Sequence, residues 1–130
     1  MPAGPAPRRT LGRSQRLKQG RDFLRLKQAG RRIAQGCLIA NWQELPSGTT
    51  ARVGVVVSRK VGKAVQRSRV RRLLRETFRL HQAELAHPVD LVLVARPSIA
   101  NKALADVERD FLGTMRRVGL LREVVKPANL

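Results

Sequence analysis

The residues best suited to chemistry lie in one stretch, Ser58–Leu80, where cationic side chains recur at helical spacing. It holds nine Lys or Arg residues and one acid, Glu76. On a helix, at about 100° per residue, its apolar and basic side chains fall on opposite sides. The apolar side comprises Val70, Leu73, Leu74, Thr77, Phe78 and Leu80, and the basic side Arg69, Arg71, Arg72, Arg75 and Arg79. The pattern predicts a core-packed helix that presents guanidinium groups to an anion.

Three of these arginines indicate what the anion could be. Arg71, Arg75 and Arg79 are four residues apart, so on a helix they form a row spaced by about 6 Å. This is close to the phosphate spacing along a nucleic-acid strand. A merely solvated face is the alternative, but such a face usually mixes charges of both signs, and only Glu76 interrupts this series.

The beginning of this helix is a second place for an anion. Gly62 predicts a tight connection into the helix, whose N-terminus offers unpaired N–H groups and the positive end of its dipole. The cations next to it are Arg59, Lys60 and Lys63. Arg67 falls on the apolar side, and we expect its side chain to leave the core edge and extend across the sheet.

The whole chain is strongly basic. Its 130 residues carry a formal net charge of +18 and are enough for one domain with a single core. A charge of this size predicts an anionic partner, and the excess of Arg over Lys favours nucleic acid, because a planar guanidinium fits phosphate oxygens. An anionic membrane is disfavoured, because no apolar run could span one and no amphipathic segment can spare its apolar face.

The single cysteine and the N-terminal sequence limit the cysteine chemistry and the cellular location that we expect. One cysteine, Cys37, excludes internal disulfides and a zinc site with several cysteine ligands, and its apolar neighbours predict a small buried side chain. Residues 1–9 lack the apolar central region of a signal peptide, so we expect a cytoplasmic location.

The remaining segments predict the elements that position the basic helix. Residues 1–9 are rich in Pro and Ala and are predicted to be a disordered tail, residues 10–119 a single domain, and residues 120–130 a C-terminal tail. The predicted elements are a helix at 21–29, strand segments within 33–45 divided at Gly36, a strand at 52–57, the basic helix from 64 to about 85, a strand at 89–95 and a helix from about 100 to 118.

These elements predict an α/β fold, an α+β two-layer sandwich in the order α-β-β-β-α-β-α with a four-stranded sheet. The strand, helix and strand at 51–58, 64–85 and 89–95 form a β-α-β unit, so the two strands are predicted to be parallel neighbours. A turn at Pro46–Gly48 predicts an antiparallel hairpin between the strands before and after it.

The chain lacks the residue patterns typical of a protein catalyst. In the acidic cluster, Asp106 and Asp110 share a helix face but Glu108 points away, which favours a solvated face over a metal site. Neither His81 nor His87 has an acid or a nucleophile at a suggestive spacing. We therefore predict no catalytic residue and no metal site, and a protein that contributes binding.

A family resemblance rests on the basic helix. Residues Gly62–Glu76, with the sequence GKAVQRSRVRRLLRE, resemble the signature of the bacterial ribonuclease P protein subunit. Arg52–Lys60 is similar to the strand that leads into it, and Asp22-Phe23 and Asp90–Arg96 match as well. The resemblance extends in consistent order over roughly residues 11–118.

The resemblance implies a partner of a catalytic RNA that removes the 5′ leader from precursor tRNA. It implies no cofactor on the protein alone, Mg²⁺ in the RNA complex, and a left-handed β-α-β crossover, against the usual right hand. By position, the resemblance implies that the residues in contact with the catalytic RNA are Arg59, Lys60, Lys63, Arg67, Ser68, Arg69, Arg71, Arg72 and Arg75. It assigns the single-stranded leader to a cleft between the first helix and the sheet, with Phe23, Lys27, Ile39 and Asn41, and with Arg67 near its edge.

Two features depart from the family pattern. Ser68 stands where the family usually has Asn, and a hydroxyl lacks the two-point reach of an amide. Lys27 and Asn41 stand where the family often has aromatic rings, so leader binding here is expected to rely more on charge than on base stacking. Phe23 is compatible with both a cleft residue and a core residue of the first helix.

Two other functions are compatible with parts of the sequence. A structural RNA-binding protein, such as a ribosomal protein, is the alternative, but it would not need a cleft with Phe23 on its floor. A double-stranded DNA binder is less compatible, because the helix must pack on the sheet and no Asn or Gln lines its outer face. We therefore expect two RNA partners, the catalytic RNA and precursor tRNA, and neither DNA nor a membrane.

Overall fold

The structure, a computed structural model, describes residues 16–17 and 20–122. Its helices are α1 (Arg21–Ala29), α2 (Ala64–His81) and α3 (Leu104–Arg117), and its strands are β1 (Arg31–Gln35), β2 (Leu38–Glu44), β3 (Arg52–Val56) and β4 (Val89–Ala95). Short 3-10 turns occupy Arg59–Val61, Gln82–Glu84 and Pro97–Asn101. The predicted α-β-β-β-α-β-α order is confirmed, and the disordered tail predicted for residues 1–9 lies outside the described residues.

The four strands form one sheet in the order β1-β2-β4-β3. The predicted parallel pairing of β3 with β4 is confirmed, with Val53 beside Leu91. The predicted antiparallel hairpin between β2 and β3 is wrong, because β4 lies between them and the hairpin is instead formed by β1 and β2 around Gly36. The almost wholly apolar β4 is best buried at the centre of the sheet, and local turn signals do not reveal such long-range pairing.

The α+β class with a four-stranded sheet is confirmed, but the sheet carries helices on both faces, so the layers number three and not the predicted two. Alternate residues of β2, such as Leu38 and Ala40, belong to the main core beneath α2 and α3. On the other face, α1 inserts Leu26 into a smaller apolar cluster with Leu17 and Val92. Strand alternation therefore assigns each side chain of β2 and β4 either to the main core or to the α1 face.

The chain after α3 returns to the end of α2. Leu120 is fully buried, and its carbonyl accepts the Ala86 N–H at 2.7 Å. The Arg122 N–H donates to the Glu84 carbonyl at 2.8 Å. These are the first residues of the segment predicted as a C-terminal tail. Within residues 16–17 and 20–122, no helix is both long and apolar enough to cross a membrane.

Candidate nucleic-acid interface

Helix α2 buries its apolar side and exposes its basic side, as its spacing predicts. The buried residues are Val70, Leu74, Thr77 and Phe78. On the other side Ser68, Arg69, Arg72 and Arg75 are exposed, and Arg67, Arg71 and Arg79 are half-buried. Among the described residues, Arg71, Arg72 and Arg75 have no hydrogen-bond or ion-pair partner. Three guanidinium groups on one helix are therefore available to phosphates.

Arg69 and Arg79 of α2 are engaged within the fold. Arg69 donates from Nη2 to the Lys102 carbonyl at 2.7 Å, which ties α2 to the segment before α3. Arg79 pairs with Glu76 one turn earlier on the helix. The predicted row of three arginines is thus partly neutralised at its Arg79 end.

Arg16 extends the basic side of α2, although its position in the sequence did not single it out. Its segment lies along the outer edge of β3, where the Leu17 N–H donates to the Val53 carbonyl at 2.9 Å. Partial desolvation, together with repulsion from Arg16 and Arg71, lowers the pKa of Arg75. A phosphate bound among these three guanidinium groups would relieve their repulsion. The signal in the sequence that could have pointed to Arg16 was the run of basic residues before α1.

The turn before α2 holds three further cations at the helix N-terminus. Gly62 has a φ of 156°, and a Cβ there would collide with the Gln66 side chain. The Gln66 Oε1 accepts the Lys63 N–H at 3.2 Å, and Arg67 donates from Nη1 to the Gly62 carbonyl at 3.2 Å. Arg67 therefore lies against this turn. The exposed cations around it are Arg59, Lys60 and Lys63.

On the opposite face of the sheet, α1 leaves a strip of the strands partly uncovered, which comprises the half-buried residues Ile39, Asn41, Val56 and Val94. The Phe23 ring lies over Gly54 of β3, where a Cβ would come within 2.5 Å of Phe23 Cε1. The ring packs against the smaller apolar cluster and remains half-buried. Phe23 therefore combines the two roles considered for it: one part packs in a core and another part faces solvent beside the strip.

The other three predicted cleft residues lie around the same strip. Lys27 is exposed one turn after Phe23, so both occupy the same flank of α1. Ile39 and Asn41 are half-buried on β2 and face α1, because Ala40 and Trp42 between and beside them belong to the main core. The structure thus brings the four residues to one face of the sheet.

The uncovered strip and the basic turn meet at one edge of the sheet. Ile39 pairs with Val94 of β4, and Val94 pairs with Val56, the last residue of β3. The chain leaves Val56 directly into the Arg59–Val61 turn. An RNA strand on the strip would therefore end next to the cations at the beginning of α2.

A buried carboxylate attaches α1 to the sheet. Asp90 of β4 is fully buried and accepts hydrogen bonds from Arg52 and Arg25. Burial raises the pKa of Asp90, but these hydrogen bonds outweigh it and hold the pKa below its ordinary value. The signal in the sequence was an Asp within an apolar strand, since a buried carboxylate requires cationic partners.

The acids of α3 each form a structural hydrogen bond, so the expectation of a simple solvated face is incomplete. Asp106 accepts the Ala103 N–H at 3.0 Å at the start of the helix, and Asp110 accepts the Cys37 N–H at 2.9 Å. In the part of the chain that the structure describes, no three His, Cys, Asp or Glu side chains are grouped as metal ligands would be.

His81, at the end of α2, pairs with two acids, so the expectation that it has no acid at a suggestive spacing is wrong. Glu84 lies three residues further along the chain, a spacing that could have revealed it, whereas Glu108 belongs to α3 and was not predictable from spacing. The His81 Nε2 lies 2.6 Å from Glu108 of α3, and its Nδ1 pairs with Glu84. Burial lowers the pKa of His81, but the hydrogen bonds with Glu84 and Glu108 outweigh it, so the pKa is raised. Both ring nitrogens are occupied by these carboxylates, so the imidazole acts as a structural clamp between α2 and α3 and is not placed as a general base.

Comparison with known proteins gives a consistent result. The Ribonuclease P family model matches residues 11–119. The ribonuclease P protein component of Desulfovibrio desulfuricans is 40% identical over 111 residues, which cover 83% of this chain and 85% of that protein. That of Thermus aquaticus is 38% identical over 120 residues, covering 92% of this chain and 69% of that protein.

Solved structures show the same fold. The RNase P protein of Staphylococcus aureus superposes with a TM-score of 0.74 at 22% identity, over 83% of this chain and 98% of that one. The RNase P protein of Thermotoga maritima gives 0.70 at 26% identity, over 78% and 96%. The chain belongs to the family of bacterial ribonuclease P protein components, the protein subunits of the ribonucleoprotein endoribonuclease that matures the 5′ ends of tRNA.

Proposed function

We propose that the chain binds two RNAs on two adjoining surfaces. The basic surface binds the catalytic RNA and comprises Arg59, Lys60, Lys63, Arg67, Ser68, Arg69, Arg71, Arg72 and Arg75, extended by Arg16. The leader cleft binds the single-stranded 5′ leader of precursor tRNA and comprises Phe23, Lys27, Ile39 and Asn41. The observation that carries this proposal is the group of arginines on α2 that lack a counter-ion within the described residues, on a helix whose preceding basic turn adjoins the uncovered strip on the other face of the sheet.

The basic surface suits a folded RNA because it is long, rigid and rich in arginine. The 18 residues of α2 extend over about 27 Å, enough to follow several phosphates. The helix is fixed on the sheet by a fully buried side, so the backbone that carries the guanidinium groups needs no ordering on binding, and only the arginine side chains lose freedom. Contacts of this kind position the protein on the RNA backbone and give binding that weakens with salt.

The leader cleft suits a single strand because it combines an apolar floor with a few polar groups. A base can pack on the half-buried Ile39 and against the exposed part of the Phe23 ring. The Asn41 amide can exchange hydrogen bonds with a base edge, and the Lys27 ammonium can contact a phosphate. With one ring in the cleft, we propose that charge contributes more to leader affinity than stacking does.

We propose that the RNA holds the catalytic Mg²⁺ of the complex. The grouped carboxylates and imidazoles of a protein metal site do not occur in residues 16–17 and 20–122, whereas RNA phosphates supply the oxygen ligands that Mg²⁺ prefers. The protein would hold the leader and neutralise phosphates around the reaction. We further propose that the complex acts in the cytoplasm.

A holoenzyme reconstituted with a bacterial ribonuclease P RNA tests both surfaces. Precursor tRNAs with a long leader and with a one-nucleotide leader are compared for wild type, Arg72→Ala and Lys27→Ala. We expect Arg72→Ala to weaken binding of the catalytic RNA, and Lys27→Ala to reduce the affinity advantage of the long leader while the catalytic RNA binds normally. Equal binding of both substrates by the wild type would exclude the leader cleft.

A further inference from the structure

Arg32 lies on the leader face of the sheet and has no role in the surfaces described above. In the antiparallel pairing of β1 with β2, Arg32 is directly opposite Asn41. Directly opposed residues project from the same face, with Cβ atoms about 4.5–5.5 Å apart. Arg32 therefore stands on the β1 side of the leader cleft, next to the amide that we place on its floor.

The orientation of Arg32 follows from its neighbours along β1. Ile33 packs against the main core beneath α2 and α3. Because side chains alternate along a strand, Arg32 faces the α1 side of the sheet and Arg31 faces the α3 side. Two adjacent, exposed arginines thus belong to opposite faces of the same strand.

Arg32 is also free to bind. It is exposed, and within residues 16–17 and 20–122 it forms neither a hydrogen bond nor an ion pair. Lys27 is exposed on the flank of α1 that borders the same strip. Two exposed cations therefore border the face of the sheet that carries Asn41, Arg32 from β1 and Lys27 from α1, and a strand of RNA on this face would expose its phosphates to both.

We propose that Arg32 is a further leader-binding residue, which contacts a leader phosphate across the cleft from Lys27. This inference rests on the proposed function of the leader cleft. Together, Arg32 and Lys27 hold the leader by its backbone, so the preference for a long leader depends on salt and tolerates changes of base sequence.

The adjacent arginines provide a matched pair of variants. Arg32→Ala and Arg31→Ala remove the same side chain and charge from neighbouring positions on opposite faces of β1. Each holoenzyme is assayed for its dissociation constant with the long-leader and the one-nucleotide-leader substrate over a series of salt concentrations. We expect Arg32→Ala to weaken long-leader binding about three- to fivefold, the scale of one exposed ion pair, and to lower the salt slope by about 0.7. Short-leader binding should be unchanged.

Binding by the wild type distinguishes a failure of the Arg32 inference from a failure of the leader-cleft proposal on which it rests. A wild type that binds both substrates equally would overturn the leader cleft and Arg32 with it. A wild type that prefers the long leader, with Arg32→Ala and Arg31→Ala equal in affinity and salt slope, would overturn the role of Arg32 alone. A long-leader defect in Arg32→Ala that Arg31→Ala does not share supports it.

Discussion

Arg52 of β3 holds Asp90 of β4 through two hydrogen bonds, from Nε to Oδ1 at 2.8 Å and from Nη2 to Oδ2 at 2.7 Å. Arg25 of α1 binds the same carboxylate from above the sheet. One buried charge therefore connects two parallel strands to the helix that forms one wall of the leader cleft. The position of Phe23 and Lys27 depends on this connection.

Loss of the Asp90 charge should destabilise the fold. Asp90→Asn leaves Arg52 without the carboxylate that it binds and Arg25 with only Asp22, 3.8 Å away, and we expect a decrease of about 2 kcal/mol in the free energy of unfolding, measured by urea denaturation. This is less than for a fully buried pair, because Arg25 and Arg52 are 34% and 35% exposed and can turn to water. Glu44→Gln, which removes a charge at an exposed site, is the control, and equal midpoints for the two variants would contradict the role of Asp90.

Gly54 should be required for the position of Phe23. In Gly54→Ala the new Cβ would overlap the ring, and overpacking of this kind costs about 1–3 kcal/mol. We expect a lower melting temperature and a reduced preference for long-leader substrate. In the control Gly113→Ala the new methyl group meets only the amide end of Gln35, which can move. A Gly54→Ala protein with normal stability and leader preference would show that the ring does not depend on this packing.

The arginines of α2 should determine how binding of the catalytic RNA responds to salt. Arg71→Ala and Arg75→Ala should each weaken binding and reduce the slope of log K against log salt by about one for each phosphate that the removed guanidinium binds. Arg116→Ala removes the same charge from an exposed position at the end of another helix, α3, and is the control. Slopes that match the wild type in both α2 variants would remove these residues from the interface.

The sequence predicted helix α2 well because its determinants are local. The 3.6-residue period placed Val70, Leu74 and Phe78 in the core and Arg72 and Arg75 outside, and the structure has them there. Burial on one side of a helix depends only on spacing, so no knowledge of the rest of the chain was required.

Features that depend on distant parts of the chain were not predictable in the same way. The insertion of β4 between β2 and β3, the partners of Asp90 and the approach of Arg16 to Arg75 all join residues far apart in sequence. Local turn signals and charge patterns carry no information about such pairings, which are set by the most favourable burial of whole strands.

The clamp at His81 predicts a pH dependence of stability. The pKa of His81 is raised in the folded state, so its contribution is fully present below the unfolded pKa of about 6.5 and is lost as pH rises through the higher folded pKa. Melting temperatures between pH 5.5 and 9 should therefore fall more with rising pH for the wild type than for His81→Gln. Parallel curves for the two proteins would show that the imidazole carries no charge-dependent stabilisation.

Site-directed crosslinking tests most directly the claim that the two surfaces contact different RNAs. Burial and the adjacent Asp110 raise the pKa of the Cys37 thiol to about 12, so the native cysteine should not react at neutral pH. A thiol-linked photocrosslinker is placed at Leu24→Cys on α1, at Val65→Cys on α2 and at Ser47→Cys as background, all exposed positions outside the proposed contacts. In the holoenzyme with precursor tRNA, we predict that position 24 crosslinks to the leader and position 65 to the catalytic RNA. Crosslinks from both positions to the same RNA, or leader crosslinks from position 65 alone, would contradict this division.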